Sequence, residues 1–228
     1  LYAPQTDGDL LIFDLDSLSG DPESIDLGSS ALGGIVADPE TESGDDKLYL
    51  LDKGQSSVLV FDITDREVIR TIPLKDSLGN SVSPVSLVFA RFPTVSSTET
   101  SDKIYVTSDR GLVFVIDEGA STVGRTISLA STDKNLPSAS LTPDRNFLLV
   151  VNRSDTAVHV INTTSDVESD TDPGTSGTNP ISLLPNSTLS SIVVTDVSDP
   201  DDTYAYVTGS EFNIDGGLLA GSAASPGS

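Results

Sequence analysis

The chain has 228 residues, with 35 acidic and 12 basic side chains and a net charge of −23. It contains no Cys and one His, which excludes disulfides, zinc-thiolate sites, cysteine nucleophiles and any mechanism that needs two histidines of this chain. The negative charge repels phosphates and argues against nucleic acid as a partner, and since no run of about 18 apolar residues occurs, no membrane insertion is expected.

Short alternating segments recur along the chain in a fixed order. Each repeat opens with an apolar strand, a polar turn and a second alternating strand that ends in Asp or Asn. The copies run from Leu1 to Asp14, from Leu48 to Asp62, from Ile104 to Asp117 and from Leu148 to Asn162, and a fifth begins at Tyr204 and fades. We refer to the four closing residues, Asp14, Asp62, Asp117 and Asn162, as the anchors.

Two further strand-like segments follow each copy. The third is SIDL, TIPL, TISL or PISL, beginning at Ser24, Thr71, Thr126 and Pro180. The fourth is GGIVADP, PVSLVFA, PSASLTP or LSSIVVTD, beginning at Gly33, Pro84, Pro137 and Leu189. One repeat therefore predicts four short strands, while its length varies in polar inserts, mainly Thr94 to Asp102 and Thr163 to Asn179.

Each repeat of about 45 to 55 residues contains four predicted strands and shows no helical periodicity. This pattern predicts an all-β fold, namely a β-propeller of four-stranded antiparallel blades. One such sheet cannot bury both of its faces alone, and radial stacking hides face against face. In this order the chain begins inside one blade, contains three complete blades and ends inside another, so it covers about four to five blades. We therefore expect part of a larger, seven-bladed ring, or a chain missing segments. The alternative is a closed ring of four or five blades, joined by pairing of the two ends.

The predicted domain boundary lies near the end of the chain. Residues 1–215 are assigned to the propeller blades, and residues 216–228 to a flexible tail of Gly, Ser and Ala. Because the first residue is Leu1 and the chain contains no Met, we expect a processed product or a segment of a longer protein.

Four pieces of the repeats carry a family resemblance: IYVTS from Ile104, VFVID from Val113, RTIPL from Arg70 and LTPDR from Leu141. Together they resemble the YVTN-type β-propeller repeat family, over roughly residues 1 to 208. The resemblance implies a seven-bladed propeller of the kind found in secreted, surface-layer and periplasmic proteins. In relatives it implies lactonase-like enzymes.

His159 is the one candidate general base or metal ligand of its type in the sequence. Its place in the repeat is the place of Leu11, Leu59 and Phe114, which are apolar strand positions. The register therefore predicts a packed, hydrogen-bonded core histidine rather than a catalytic one.

Two other recurring positions have both a functional and a structural interpretation. Arg70 and Arg125 each precede Thr-Ile and could contact an anion, but we expect solvated arginines on an outer strand whose stems cover apolar surface. The anchors could line a rim or a channel, but Asp and Asn at such turns usually accept backbone N–H bonds two residues on.

The insert from Asp166 places acidic side chains at alternate positions. Such oxygens can converge on one hard cation, and Ca²⁺ is the candidate cofactor, with Asp166, Glu168, Asp170 and Asp172 as its ligands. The segment departs from the EF-hand pattern, because Thr171 stands where that loop needs Gly and Gly177 where it needs Glu. The alternative is a solvated acidic loop. A second acidic turn with the same two interpretations contains Asp196, Asp199, Asp201 and Asp202.

The predicted function is a non-enzymatic propeller scaffold that is extracellular, on the cell surface or periplasmic. It would bind a protein, a glycan or a neighbouring subunit through its blade loops, above all the two long inserts. One alternative is a lactonase-like or other propeller hydrolase with metal or acidic groups in the central channel, and another is a self-assembling subunit of a filament or surface layer. The net charge favours a saline or extracellular setting, either as an adaptation to salt or through cations that bridge carboxylates. An ordinary secreted protein is the third interpretation.

Overall fold

The structure is a computed structural model. It describes residues 1–16, 20–38, 46–92, 102–129, 135–153, 156–178, 180–183, 187–195, 204–212 and 218–220. These residues form antiparallel strands joined by turns, and the strands are grouped in five sheets. Within the same ranges there is no helix of the length and apolar character that membrane crossing requires.

Each sheet is built from consecutive strands, and we number the sheets as blades 1 to 5. Blade 1 contains β1 (Tyr2–Pro4), β2 (Asp9–Ile12) and β3 (Glu23–Asp26). Blade 2 contains β4 (Leu32–Asp38), β5 (Lys47–Asp52), β6 (Ser57–Asp62) and β7 (Glu67–Pro73). Blade 3 contains β8 (Pro84–Ala90), β9 (Lys103–Ser108), β10 (Leu112–Asp117) and β11 (Arg125–Ser128). Blade 4 contains β12 (Ser138–Leu141), β13 (Phe147–Asn152), β14 (Ala157–Asn162), β15 (Val167–Glu168) and β16 (Ile181–Ser182). Blade 5 contains β17 (Ser187–Val194), β18 (Ala205–Phe212) and β19 (Leu218–Ala220).

The blades are arranged side by side as in a propeller, which confirms the predicted all-β fold of antiparallel blades. The first strands of blades 2 to 5 (β4, β8, β12 and β17) contact one another from blade to blade and are therefore the inner strands. Blades 2, 3 and 4 have an inner strand and outer strands, whereas blade 1 has no described inner strand. In the described part of the chain, blades 1 and 5 are separate sheets, and no pairing of the two ends closes a ring.

The hydrophobic core lies between blades rather than within one. Along β5, Leu48 and Leu50 pack toward blade 1, while Tyr49 and Leu51 pack toward blade 3, because successive side chains of a strand point to opposite faces. Further clusters join blade 3 to blade 4 and blade 4 to blade 5. Burying one such side chain stabilises the fold by roughly 2 kcal/mol, so the stacking of blades supplies most of the apolar stabilisation.

The outer edge of blade 4 differs from the sequence prediction. The prediction placed one outer strand at the PISL segment, but two short strands pair with β14 there. β15 pairs with Ile161 and Asn162, and β16 pairs with Ala157 and Val158. The polar insert between them leaves the edge and returns to it, so it divides one outer strand in two.

The end of the chain is described only in part. Of the predicted tail, residues 218–220 form β19 and pair with β18, and the others lie outside the described residues. The domain boundary after residue 215 stays a prediction.

Candidate functional site

All four anchors lie at one end of the blades, which we call the anchor end. In blade 2 the register aligns Asp38, Lys47 and Asp62 across three strands, and in blade 3 it aligns Ala90, Lys103 and Asp117. The connections that leave the inner strand and the third strand of each blade therefore meet at this end. These include residues 163–166 of the insert that follows Asn162, whereas the later part of that insert leaves the middle of the outer edge of blade 4, between the levels of Val160 and Val158. Of the insert from Thr94 to Asp102, only Asp102 lies within the described residues.

The anchors are turn residues, as the sequence predicts. Asp62 Oδ1 accepts the N–H groups of Thr64 and Asp65 at 2.8 and 2.9 Å, and Asn162 Oδ1 accepts those of Thr164 and Ser165 at 3.0 Å each. Asp14 Oδ1 likewise accepts the N–H of Asp16 at 2.9 Å. At Asp117 the turn is closed by the backbone carbonyl, which accepts the N–H of Ala120 at 3.0 Å.

The four predicted calcium ligands each accept hydrogen bonds or form ion pairs with other groups of the protein. Asp166 Oδ2 lies 2.8 Å from Lys103 Nζ, and its Oδ1 accepts the Tyr105 hydroxyl at 2.7 Å. Glu168 binds His159 through Nδ1.

The other two carboxylates, Asp170 and Asp172, lie in exposed turns, where Asp170 Oδ1 accepts the Asp172 N–H and Asp172 Oδ2 accepts the Thr175 hydroxyl. Among the described residues no group of three or more His, Asp and Glu side chains is arranged to hold a metal ion. Calcium binding at Asp166, Glu168, Asp170 and Asp172 thus stays a prediction, and the acidic turn from Asp196 to Asp202 lies outside the described residues.

His159 is a core residue, which confirms the prediction from its register. It is 1% exposed, and it pairs with Val150 across β13 and β14. Its ring binds Glu168 on the neighbouring outer strand β15. A histidine held in this way is not presented to a ligand at the surface.

The prediction for Arg70 and Arg125 is wrong in one respect, because both bind the next blade instead of water alone. Arg70 Nη1 donates to the Ala120 carbonyl of blade 3 at 2.9 Å, and Arg125 Nη1 donates to the Ser165 carbonyl of blade 4 at 2.8 Å. Each arginine thus fastens its outer strand to the turn that follows the third strand of the next blade. The sequence signal was present as a repeated Arg-Thr-Ile, but the partner lies too far along the chain to be recognised.

Two lysines make a second contact with the same turns, and sequence reasoning did not find them. Lys47 Nζ lies 3.2 Å from Glu118 Oε1, and Lys103 Nζ donates to the Thr163 carbonyl at 2.9 Å besides binding Asp166. Both lysines are the first residue of the second strand of their blade. In the sequence, both lysines stand directly before an apolar residue and a tyrosine, Leu-Tyr or Ile-Tyr. This shared position was the signal that could have identified them.

Tyr105 completes the contact between blades 3 and 4. Burial, together with the hydrogen bond to the Asp166 carboxylate, raises the pKa of the Tyr105 hydroxyl far above its ordinary value of 10.0. The hydroxyl therefore stays protonated and serves as a hydrogen-bond donor. This is the chemistry of a structural contact, in which the proton is not transferred.

A third polar group lies where the inner strands end. Arg91, just after β8, binds Asp38 Oδ1 of β4 at 3.1 Å and Asp102 Oδ2 at 3.4 Å. Asp102 Oδ1 also accepts the Phe92 N–H at 2.7 Å. The ion pair between Arg91 and Asp38 joins the inner strands of blades 2 and 3. The buried Asp38 carboxylate thereby has a cationic partner.

The exposed surface of the anchor end is acidic. Its described exposed carboxylates include Asp14, Asp16, Asp46, Asp65, Glu67, Asp117 and Asp144. By contrast, the basic residues Lys47, Arg70, Arg91 and Lys103 are engaged between blades. The anchor end thus presents more exposed carboxylates than exposed cations, an arrangement suited to binding positively charged groups.

Comparison with known proteins shows the fold. No family model matches the chain, and no curated protein matches it. Among solved structures it is similar to one described as dihydro-heme d1 dehydrogenase NirN in complex with DHE, with a TM-score of 0.61 and 15% identity over 92% of this chain and 39% of that chain. It is also similar to the Dos1 propeller, with a TM-score of 0.61 and 13% identity over 92% of this chain and 49% of that chain.

The chain is therefore a β-propeller protein, and it spans less than half the length of either of these structures. Membership in the YVTN-type repeat family and a full ring of seven blades both stay predictions.

Proposed function

We propose that the protein is a non-enzymatic propeller scaffold, extracellular or on the cell surface, that binds a partner protein, glycan or neighbouring subunit through its anchor-end loops. The observation that carries the proposal is the surface of this end. Exposed acidic turns lie there on strands fixed by inter-blade contacts. Binding residues commonly lie on loops that a rigid scaffold positions.

The opposite end of the blades combines short hairpins with blade-to-blade connections of 27–31, 74–83 and 129–137. Its hairpins between the second and third strands of blades 1 to 4 are short, spanning residues 5–8, 53–56, 109–111 and 153–156. At the anchor end, the connections range from 63–66 in blade 2 to 91–102 in blade 3. Loop length that varies over constant strands is the pattern of a recognition surface rather than of a packing element.

The chemistry of the anchor end favours a partner with positive charge or bound cations. Asp16 and Asp65 are exposed in the turns that follow the anchors Asp14 and Asp62. Complementary charge speeds association and selects among partners more than it adds affinity. The absence of Cys and the net charge of −23 agree with a location outside the cell.

An array of glycans and secreted proteins, probed with the fluorescently labelled chain, tests this proposal. We expect binding to at least one class of spot and a loss of most of that signal in the variant Asp16→Asn/Asp65→Asn, which removes two exposed carboxylates from the anchor end. The matched control is Asp7→Asn/Asp109→Asn, which removes two exposed carboxylates from the opposite end and should retain binding. Equal loss in both variants would contradict a site at the anchor end.

A catalytic assay tests the alternative. A panel of lactones and esters is incubated with the protein, with and without EDTA, and we expect no turnover above the buffer rate. Turnover that EDTA abolishes would overturn the non-enzymatic proposal and favour a hydrolase.

A further inference from the structure

The sequence contains three triplets of the form Asn-x-Ser/Thr in which the middle residue is not Pro. They begin at Asn152, Asn162 and Asn186. This triplet is the acceptor sequence for N-linked glycosylation of secreted proteins, in which the modified asparagine lies at the surface. Because a chain rich in Ser and Thr also contains such triplets by chance, burial and hydrogen bonding decide which of them can carry a glycan.

Asn152 has no room for a glycan in the folded protein. It is the last residue of β13, it is 0% exposed, and its cross-strand partner Ala157 is 2% exposed. A sugar on its side-chain nitrogen would occupy space that close packing already fills. The triplet at Asn152 is therefore excluded by the fold, and Asn186 lies outside the described residues.

The Asn162 side chain forms its turn with oxygen alone. Its Oδ1 accepts the N–H groups of Thr164 and Ser165, and it also accepts the Ser165 hydroxyl at 3.2 Å. Among the described residues, Nδ2 of Asn162 makes no hydrogen bond. Asn162 is half-buried and Thr164 is exposed. The nitrogen that would join a sugar and the hydroxyl that the acceptor triplet requires are thus both left over by the turn.

The middle residue of the triplet holds the turn in place. Thr163 is 1% exposed, and its hydroxyl donates to the Arg145 carbonyl at 2.5 Å. Its own carbonyl accepts a hydrogen bond from Lys103 Nζ of blade 3 at 2.9 Å. These contacts involve neither Asn162 Nδ2 nor the Thr164 side chain, so a glycan on that nitrogen leaves them intact.

The anchor position does not require asparagine to form its turn. Asp14 and Asp62 accept the equivalent backbone N–H groups with a carboxylate oxygen. Blade 2 even has Asp62-Ile63-Thr64 where blade 4 has Asn162-Thr163-Thr164, with Thr at the same third position. The amide in blade 4 supplies the same acceptor and adds an NH₂ group. That group is what makes this turn an acceptor triplet.

We propose that Asn162 carries an N-linked glycan at the anchor end. The sugar comes from an activated donor, a glycosyl phosphate or diphosphate. A bond forms between Nδ2 and the anomeric carbon, the bond from that carbon to the phosphate oxygen breaks, and one Nδ2 proton ends on the released phosphate. The modification rests on the extracellular or surface location proposed above, since this triplet is an acceptor in secreted proteins. It adds a bulky, solubilising group beside the exposed carboxylates of the anchor end.

Peptide mass spectrometry of the protein from its own source tests the proposal. The protein is collected separately from the medium, the cell surface and the cell interior. We expect the peptide with Asn162 to carry added sugar mass in most exported molecules, and the peptide with Asn152 to carry none. Exported protein with unmodified Asn162 would overturn this proposal alone. Protein found only inside the cell would overturn the proposed location and this site with it.

Variants secreted from a eukaryotic cell line test the acceptor triplet itself. Asn162→Asp keeps the oxygen that forms the turn and should abolish the added mass, as should Thr164→Ala, whereas Thr164→Ser should retain it. Asp62→Asn creates an Asn-Ile-Thr triplet in the equivalent turn of blade 2 and should add a glycan at position 62.

Circular dichroism establishes that each variant is folded. Folded, secreted protein without added mass at Asn162 would overturn the proposal. Added mass on the peptide of residue 162 in the Asn162→Asp variant would also overturn it, because the sugar would then be attached elsewhere.

Discussion

One turn position carries opposite charges in different blades. Arg66 and Asp166 each lie in the turn after an anchor, and both have a left-handed backbone, with φ of 58° and 51°. Arg66 Nη1 binds Glu23 Oε1 of blade 1 at 2.7 Å, and Asp166 binds Lys103 of blade 3. Both therefore reach the preceding blade from the same place in the repeat. The reversed polarity makes each pair of neighbouring blades distinguishable from the next pair.

The ion pair of Asp166 should contribute more stability than that of Arg66. Lys103 and Asp166 are 12% and 14% exposed, so the Asp166→Asn substitution leaves a largely buried ammonium without its carboxylate. We expect a loss of about 2 kcal/mol in the free energy of unfolding, measured by urea denaturation. The Glu23→Gln control breaks a pair whose side chains are 54% and 49% exposed, and it should cost less than about 1 kcal/mol. Equal effects of the two substitutions would contradict the role assigned to burial.

Asp144 should contribute stability that depends on pH. The Thr142 hydroxyl, followed by the N–H and side-chain amide of Asn146, donates to Asp144 and holds the pKa of its carboxyl below the ordinary value of 3.8. A carboxyl with a lowered pKa in the folded state stabilises the fold above its unfolded pKa, and this contribution is lost as the pH falls through the folded pKa. Urea midpoints of the Asp144→Asn variant should therefore lie below those of the unsubstituted chain at neutral pH and converge with them as the pH falls through the lowered pKa of the folded state. A constant difference across this range would be inconsistent with the lowered pKa.

Within a strand, the face of the sheet on which a side chain lies determines whether it packs against a neighbouring blade. Phe61 of β6 is 0% exposed and packs between blades 1 and 2, whereas Ile69 of β7 is 42% exposed. Strand alternation assigns such faces from the sequence, because the period of two is local.

A pair of substitutions in blade 2 measures the value of the inter-blade core. Phe61→Ala should destabilise the protein by about 3 to 5 kcal/mol, since it removes a buried ring and leaves a cavity. Ile69→Ala, on the outer strand, should change the free energy of unfolding by roughly 0.5 kcal/mol or less. Thermal and urea unfolding of both variants tests this, and a small effect of Phe61→Ala would argue against a tightly packed face.

The sequence could predict the strands but not the contacts that fasten one blade to another. The repeat order of apolar segments was enough for the blade pattern. Arg70 and Ala120 are 50 residues apart, and Lys103 and Asp166 are 63 apart, so no local pattern joins them. The two-part outer edge of blade 4 was missed for a related reason, since the short strand at Val167 and Glu168 lacks an alternating apolar pattern.

For the whole molecule, the net charge of −23 should make stability rise with salt. Long-range repulsion among exposed carboxylates is screened by added ions, while partly buried pairs such as Lys103 with Asp166 are screened much less. We therefore expect the thermal midpoint to increase between about 10 mM and about 1 M NaCl. An unchanged or falling midpoint would mean that the inter-blade ion pairs outweigh the repulsion.

The placement of every apolar cluster between two blades has a further consequence for how the molecule opens. Among the described residues, blade 3 packs against a neighbouring blade on both faces, while blades 1 and 5 each pack against one neighbour. In a structure of nearest-neighbour contacts, opening starts at the ends and moves inward. Backbone amides of β9 and β10 should exchange with deuterium most slowly, and those of β2 and β18 fastest, as mass spectrometry of timed exchange would reveal. Uniform exchange across the blades would instead indicate that they unfold as a single cooperative unit. In that case a proteolytic cut in blade 1 or blade 5 would destabilise blade 3 as much as the cut blade itself.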